Sequence, residues 1–228
     1  MQCWPKPSSG WSRRLIRFDP SQQILAVGVA ILAGFVDAIG FVESAGFFAS
    51  FMTGNATRLA VGLVDGQHAA LVAAMIIAVF VAGVVAGSLV GACAGARRQP
   101  AVLLGVTILL GIATMLRLEG EGWSAILSLA LAMGFANGHD GSVVGVAYMN
   151  GTLVQLGQKI ANVVRGEGDR RWLHHLGLWA ALVGGAVLGA RAVILSAPLA
   201  YAFASVLAAA LALRAGWIIR RSDSTVTV

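Results

Sequence analysis

One acidic residue lies within an otherwise apolar stretch of this sequence. Asp37 follows the apolar residues Ile24–Val36 and precedes Gly40 and Glu43. A carboxyl group at membrane depth costs about 2.5–3.5 kcal/mol on insertion scales, so such residues usually face a protein interior and take part in function. Asp37 is therefore predicted to carry a coupling proton or cation, or to bind a cationic part of a substrate. The alternative is a structural carboxyl group hydrogen-bonded to a neighbouring helix.

Two polar trios, each built around a glycine, occupy matching places in the two halves of the chain: Thr53, Gly54 and Asn55, and Asn150, Gly151 and Thr152. Small polar side chains around a glycine suit a cavity lining or a helix cap. Arg58 follows the first trio, whereas Gln155 holds the matching place after the second, so the charge is present once. Arg58 is predicted to line the solute pathway or to snorkel to lipid headgroups.

A second polar interruption follows the apolar residues 123–135 and includes Asn137, His139 and Asp140. We predict that the helix unwinds both here and at Asp37–Glu43, exposing backbone groups that line a cavity. His139 and Asp140 suggest a proton relay or a metal pair, but adjacent residues on a helix point in different directions. Since three or four convergent ligands are not visible, we expect no metal and no cofactor.

Glycines recur at every fourth position in two apolar stretches: Gly83, Gly87, Gly91 and Gly95 in the first, and Gly185 and Gly189 in the second. Spacing of this kind gives a helix a smooth face against which another backbone packs closely. We interpret these glycines as helix-packing positions, on which one part of the protein could also slide against another.

The composition indicates a membrane protein. The 228 residues are 58% hydrophobic and 11% charged, against roughly 25% charged in soluble domains. Six stretches are apolar enough to span a bilayer: Ile24–Val42, Leu71–Ala96, Ala101–Leu118, Trp123–Met149, Leu173–Leu195 and Ala197–Ile219. With the N-terminus inside, thirteen of the sixteen Lys and Arg residues fall on the cytoplasmic side, as the positive-inside rule requires. Both termini are therefore predicted to be cytoplasmic.

The two halves resemble each other. Ala33–Asp37 matches Met133–Asn137, Phe51–Leu59 matches Tyr148–Leu156, and Gly87 with Gly91 matches Gly185 with Gly189. Repeats of three spans each must insert in opposite orientations, as in many secondary transporters. We therefore predict an all-α integral membrane protein of six transmembrane helices, arranged as two inverted three-helix repeats with the first helix of each broken. The predicted segments are a basic cytoplasmic tail (1–23), repeat 1 (24–118), repeat 2 (119–221) and a cytoplasmic tail (222–228).

At Gly34–Ala38 and Phe51–Asn55, with the echo at Tyr148–Leu156, the sequence resembles the YoaK family of bacterial membrane proteins, also catalogued as DUF1275. The resemblance extends from about Ile24 to Arg221. Relatives carry Thr-Gly-Thr in the second repeat, and Asn150 departs from that pattern. The resemblance implies a bacterial inner-membrane location and supplies no established substrate or reaction.

We expect a secondary transporter or permease-like carrier that moves an unidentified small molecule or ion by alternating access. Its expected partners are the lipid bilayer and that solute, with a homo-oligomer left open. Nucleic acid is not expected, since the cations lie between apolar stretches. Phosphate-loop, zinc-protease and nucleophile-elbow motifs are absent from the sequence, so we expect neither an enzyme nor ATP-driven pumping.

Three alternatives stay open. A channel would pass solute quickly and without coupling to an ion gradient. A membrane-embedded enzyme would use Asp37, His139 and Asp140 as acid and base, and its turnover would be lost in His139→Ala. An assembly or scaffold subunit would copurify with a partner and show no flux.

Overall fold

The computed structural model describes residues 20–65, 67–138, 149–166 and 172–226, which form eight α-helices and contain no strand. The helices are α1 (Pro20–Glu43), α2 (Met52–Asp65), α3 (Gln67–Ala94), α4 (Arg98–Leu118), α5 (Gly122–Asn137), α6 (Met149–Val164), α7 (Trp172–Leu195) and α8 (Ala197–Val226). The all-helical prediction is confirmed. The short helices α2 and α6 were not predicted as separate elements.

Within the described residues, four helical stretches are long and apolar enough to cross a membrane: Ser21–Glu43, His68–Leu118, Trp172–Leu195 and Ala197–Arg221. The second contains 51 residues, and a straight helix of that length would extend about 76 Å, far beyond a hydrocarbon core of about 30 Å. The chain instead turns at Gly95, whose φ of +53° favours glycine, and α4 packs beside α3. The apolar helix α5 is shorter, at 16 residues.

The predicted break in the first helix is wrong. Helix α1 continues without interruption through Asp37 and Gly40 to Glu43, and the irregular segment lies after it, at residues 44–51. Asp37 needs no unwound backbone because its carboxylate accepts hydrogen bonds from Ser50 of that segment. In the second half α5 ends at Asn137, short of the predicted span Trp123–Met149. The remainder of that predicted break, 139–142, lies outside the described residues.

The helices form three principal pairs, α1 with α7, α3 with α5, and α4 with α8. If helices α1 to α4 are matched in order with α5 to α8, the α1/α7 pair corresponds to the α5/α3 pair, and the α4/α8 pair corresponds to itself.

The core lies mainly among α1, α4, α5 and α8. The outer surface is also apolar, with Leu71, Leu199 and Leu213 each about 70–77% exposed, as expected where side chains face lipid rather than water.

Glycines bring the first two pairs into backbone contact. Gly185 and Gly189 of α7 lie against the carbonyl groups of Ile31 and Phe35 in α1. In the other pair the contacts are equivalent: Gly83 and Gly87 of α3 lie against the carbonyls of Leu131 and Phe135 in α5. The contacts therefore match Gly83 with Gly185 and Gly87 with Gly189. The sequence comparison had matched Gly87 with Gly185, which is one helical turn farther along α3.

The remaining two glycines of the first stripe are placed differently. Gly91 is buried, but a Cβ atom there would lie no closer than 3.8 Å to a neighbour. Gly95 ends the stripe at the exposed turn between α3 and α4 and has no neighbour within 4 Å of a Cβ atom. Close backbone approach in α3 is thus concentrated at Gly83 and Gly87.

We predict that Gly185→Leu disrupts the α1/α7 pair, since any side chain at Gly185 overlaps the Ile31 carbonyl. Overpacking typically destabilises by about 1–3 kcal/mol, and an obstructing backbone cannot move aside as a side chain can. Gly184→Leu is the matched control, because a Cβ atom at Gly184 has open space around it. The measurements are yield of monodisperse protein and thermal stability in detergent. Equal behaviour of the two variants would contradict a close-packed α1/α7 interface.

Candidate functional site

The segment between α1 and α2, residues 44–51, reverses direction and returns along α1. The reversal occurs at Ala45 and Gly46, whose φ values of 56° and 117° are both positive. The Ser44 hydroxyl stabilises the turn by donating to the Gly40 carbonyl at 2.5 Å and accepting from the Phe47 amide at 2.9 Å. Ala49 then packs on Gly40, where a Cβ atom would lie only 3.2 Å from the Ala49 nitrogen. The small residue at position 40 lets the returning segment approach α1.

Asp37 fixes the end of the returning segment. One carboxylate oxygen accepts a hydrogen bond from the Ser50 amide and the other from the Ser50 hydroxyl, each at 2.6 Å. Hydrogen bonds to a carboxylate are shorter and stronger than those between neutral groups. The side chain is half-buried, and among the described residues no basic side chain contacts it. Asp37 thus anchors Ser50, and no cation among the described residues pairs with its carboxylate.

Asn55 holds the same segment from the other side. Its side chain is fully buried, accepts from the Phe48 amide at 3.0 Å and donates to the Phe48 carbonyl at 2.7 Å. A side-chain amide that satisfies both backbone groups of one residue replaces the pairing that a regular element would supply. Since Phe48 is two residues from Ser50, Asn55 positions the residue that contacts Asp37.

A cleft of about 640 Å³ lies beside Asp37, between α1, α7, the returning segment and α6. Its described lining is mostly apolar, and among the described residues the oxygen-bearing side chains are those of Asp37 and Ser50. The other lining residues are Gly34, Ala38, Phe41, Val42, Phe48, Phe51, Leu153, Trp179, Leu182, Val183, Ala186, Val187 and Ala190. The volume falls within the range of about 300–1,000 Å³ typical of small-molecule sites.

The first polar trio occupies the first turns of α2 but does not line this cleft with Asp37. Thr53 is exposed, and Gly54 packs against the rings of Phe48 and Phe51. The Arg58 guanidinium lies over the Phe47 ring, 5.0 Å from its centroid. Of the trio, Asn55 influences the site, and it acts through the backbone of the returning segment.

The second trio begins α6, as the first begins α2. Gly151 and Thr152 are half-buried in the first turn of α6, and the side chain of Asn150 lies outside the described residues. His139 and Asp140 also lie outside them. Asn137, the counterpart of Asp37, donates to the Met133 carbonyl of its own helix at 2.8 Å. The two halves therefore differ at this position in both charge and hydrogen bonding.

Sequence reasoning missed Ser50 and the pairing of Glu43 with Arg117. Ser50 stands among apolar residues without a motif of its own, so its role is visible only once the chain folds back. The Arg117 Nε donates to Glu43 at 2.6 Å, joining the last turns of α1 and α4. Opposite charges at the ends of the first and third predicted spans, on the same side of the bilayer, were a signal for this pair. Within the described ranges, no three His, Cys, Asp or Glu side chains converge as metal ligands.

The profile of a family described as a protein of unknown function, DUF1275, matches residues 25–214 and so covers the helices that build this cleft. The chain belongs to the DUF1275 family. The resemblance carried by Gly34–Ala38 and Phe51–Asn55 is thereby confirmed. A UPF0700 transmembrane protein of Rhizobium meliloti (strain 1021) is 39% identical over 184 residues, covering 78% of this chain and 80% of that relative. No solved structure matches. This DUF1275 protein is a membrane protein.

In this DUF1275 protein we predict that Asn55→Ala loosens the returning segment. Loss of the amide leaves the Phe48 N–H and C=O without partners, and each buried unsatisfied group costs about 1–3 kcal/mol. Thr53→Ala is the matched control, because Thr53 is exposed in the same helical turn. Hydrogen–deuterium exchange of residues 44–51 should rise in Asn55→Ala alone. Identical exchange in the two variants would show that Asn55 does not hold this segment.

Proposed function

We propose that this protein is a secondary transporter of a small solute, working by alternating access between two inverted repeats. The observation that carries the proposal is the pair of equivalent interfaces, α1/α7 and α3/α5, each made from both halves of the chain through matched glycine contacts. Inverted-repeat transporters place their substrate site at such an interface between repeats. The cleft beside Asp37 lies against the first of them.

Helix directions support six crossings with the second half inverted. The contacts of Gly185 with Ile31 and of Gly189 with Phe35 make α7 parallel to α1. Helices α4 and α8 are antiparallel, since Thr107 meets Ser205 while Pro100 meets Gly216. Six alternating crossings by α1, α3, α4, α5, α7 and α8 satisfy these directions, with α2 and α6 as short helices on opposite sides of the bilayer.

The proposed movement is a rocking of α1/α7 relative to α3/α5. Within each pair the backbones touch along glycines, so each pair moves as a unit, whereas α1 and α5 share a smaller interface. The rocking movement would interconvert two conformations of the protein. Solute binding or protonation at Asp37 would shift the equilibrium between them only if they bind the solute or proton with different affinities. Asp37 contacts Ser50 of the returning segment, and this segment forms part of the cleft wall. A change in the charge of Asp37 would therefore alter the position of that wall.

The proposed location is the bacterial inner membrane with both termini in the cytoplasm. Reporter fusions after Gly10, Gln99, Gly168 and Asp223 should report the cytoplasmic side, and fusions at Gly66 and Gly120 the external side. The reason is the excess of Lys and Arg in the proposed cytoplasmic segments. An external signal at Gln99 or Gly168 would contradict the six-span topology.

The transport proposal is tested with proteoliposomes incubated in a bacterial metabolite mixture under an imposed proton gradient. We predict that mass spectrometry detects at least one accumulated solute for the wild type, and that Asp37→Asn removes or uncouples its uptake. An amide keeps the shape of the side chain but cannot carry the charge or exchange a proton. Glu121→Gln makes the same change at an exposed acid and should transport normally. Accumulation no greater than in protein-free liposomes would contradict a carrier.

A further inference from the structure

The cleft beside Asp37 is chemically one-sided. The walls that the structure describes are aliphatic and aromatic, and the oxygen-bearing side chains among them, Asp37 and Ser50, lie together at one place. A sugar or a zwitterionic amino acid would lose its hydrogen bonds to water along most of its length and regain few of them here. An unpaired buried polar group is penalised, so the larger part of a fitting ligand must be apolar.

The polar end of the cleft is formed by the Asp37 carboxylate, which accepts hydrogen bonds and carries a negative charge when ionised. An ionised carboxylate offers about four lone-pair positions. The Ser50 amide and hydroxyl each donate to one oxygen of Asp37, and the backbone N–H groups of Ala49 and Phe51 also lie close to it. Within the described chain no Lys, Arg or His side chain contacts Asp37 to neutralise it. A carboxylate in apolar surroundings is stabilised most by a cation that also donates hydrogen bonds.

We propose that this cleft binds an amphipathic organic cation, an ammonium group attached to an apolar chain, with the ammonium at Asp37 and the chain along α1 and α7. The inference rests on the proposed carrier function and names the solute class of that carrier. An inorganic cation fits less well, because it takes about six oxygen ligands after losing its water. An anion would be repelled by Asp37.

The route of entry follows from the exposure of the lining. Phe41, Val42 and Val187 are each more than 40% exposed although they are apolar, so in a bilayer they face acyl chains. An alkyl chain dissolved in the membrane can enter the cleft past these exposed side chains without crossing water. At the position that matches Asp37 the second half carries no charge, because Asn137 is neutral and donates to the Met133 carbonyl of its own helix.

The test uses the full-length protein in lipid nanodiscs and follows thermal unfolding with four probes. Dodecylammonium has the charge and the chain, dodecanol has the chain with a neutral head, dodecanoate has the chain with an anionic head, and methylammonium has the charge alone. Saturating dodecylammonium should raise the unfolding midpoint by about 5–10 °C more than any of the other three, since a ligand that binds only the folded state stabilises it.

Two variants assign the effect to the cleft. Asp37→Asn should remove the advantage of dodecylammonium over dodecanol. Ala190→Trp fills the cleft without changing its charge and should remove stabilisation by dodecylammonium, while Ala86→Trp, at an exposed position of α3, should retain it. Equal stabilisation by dodecylammonium and dodecanol, or an effect that survives both Asp37→Asn and Ala190→Trp, would overturn the proposal. Ala190→Trp keeps the test decisive if Asp37→Asn folds poorly.

Flux is measured separately so that the two proposals can fail independently. Specific dodecylammonium binding without uptake of any solute would contradict the carrier function and support the ligand class. Uptake of a different solute, with no specific dodecylammonium binding, would overturn the ligand class and support the carrier.

Discussion

Backbone contact at glycine is the constraint on which the rest of this structure depends. Gly185 and Gly189 of α7 pack against the carbonyl groups of Ile31 and Phe35. In the other pair, Gly83 and Gly87 of α3 pack against the carbonyls of Leu131 and Phe135. In a bilayer the helices gain nothing by hiding apolar surface from water, so association relies on close packing of this kind. Because each contact joins a helix of one half to a helix of the other, neither half completes its packing alone.

The candidate site is a consequence of the same packing. The α1/α7 contact places the small residues Gly34 and Ala186 side by side, and farther along the two helices the cleft opens toward Asp37. The returning segment closes that space because Gly40 lets it approach and Asn55 holds Phe48 in place. Asp37 anchors Ser50, and this contact is physically compatible with the proposed role of its charge in binding a ligand. Asn137 shows that the second half needs no charge at the matching place.

The all-helical membrane class was predictable, because bilayer insertion leaves a strong signal in hydrophobicity. Helices α2 and α6 were not predicted, since they are shorter and more amphipathic than a span. The break at Asp37 was wrong because a polar residue in an apolar helix can be satisfied by a segment that returns from elsewhere. The sequence did not decide which glycine of the first half corresponds to Gly185. Gly185 lies 51 residues after Gly134, whereas Gly83 and Gly87 lie 49 and 53 residues after the corresponding Gly34, so both are equally close to the required spacing. Only the contacts distinguish the two matches, and likewise only the fold reveals Ser50.

The central claim, that α1/α7 and α3/α5 move as units relative to each other, is tested most directly by electron paramagnetic resonance distances in nanodiscs. In a variant lacking Cys3 and Cys93, one spin-label pair at Val42 and Ile194 spans the two helices of a unit. A second pair, at Val42 and Leu71, spans the two units. The account predicts one narrow distance for the first pair, and for the second two distances whose proportions change between acidic and alkaline buffer in the wild type but not in Asp37→Asn. A single unchanging distance for Val42 and Leu71 under all conditions would contradict it.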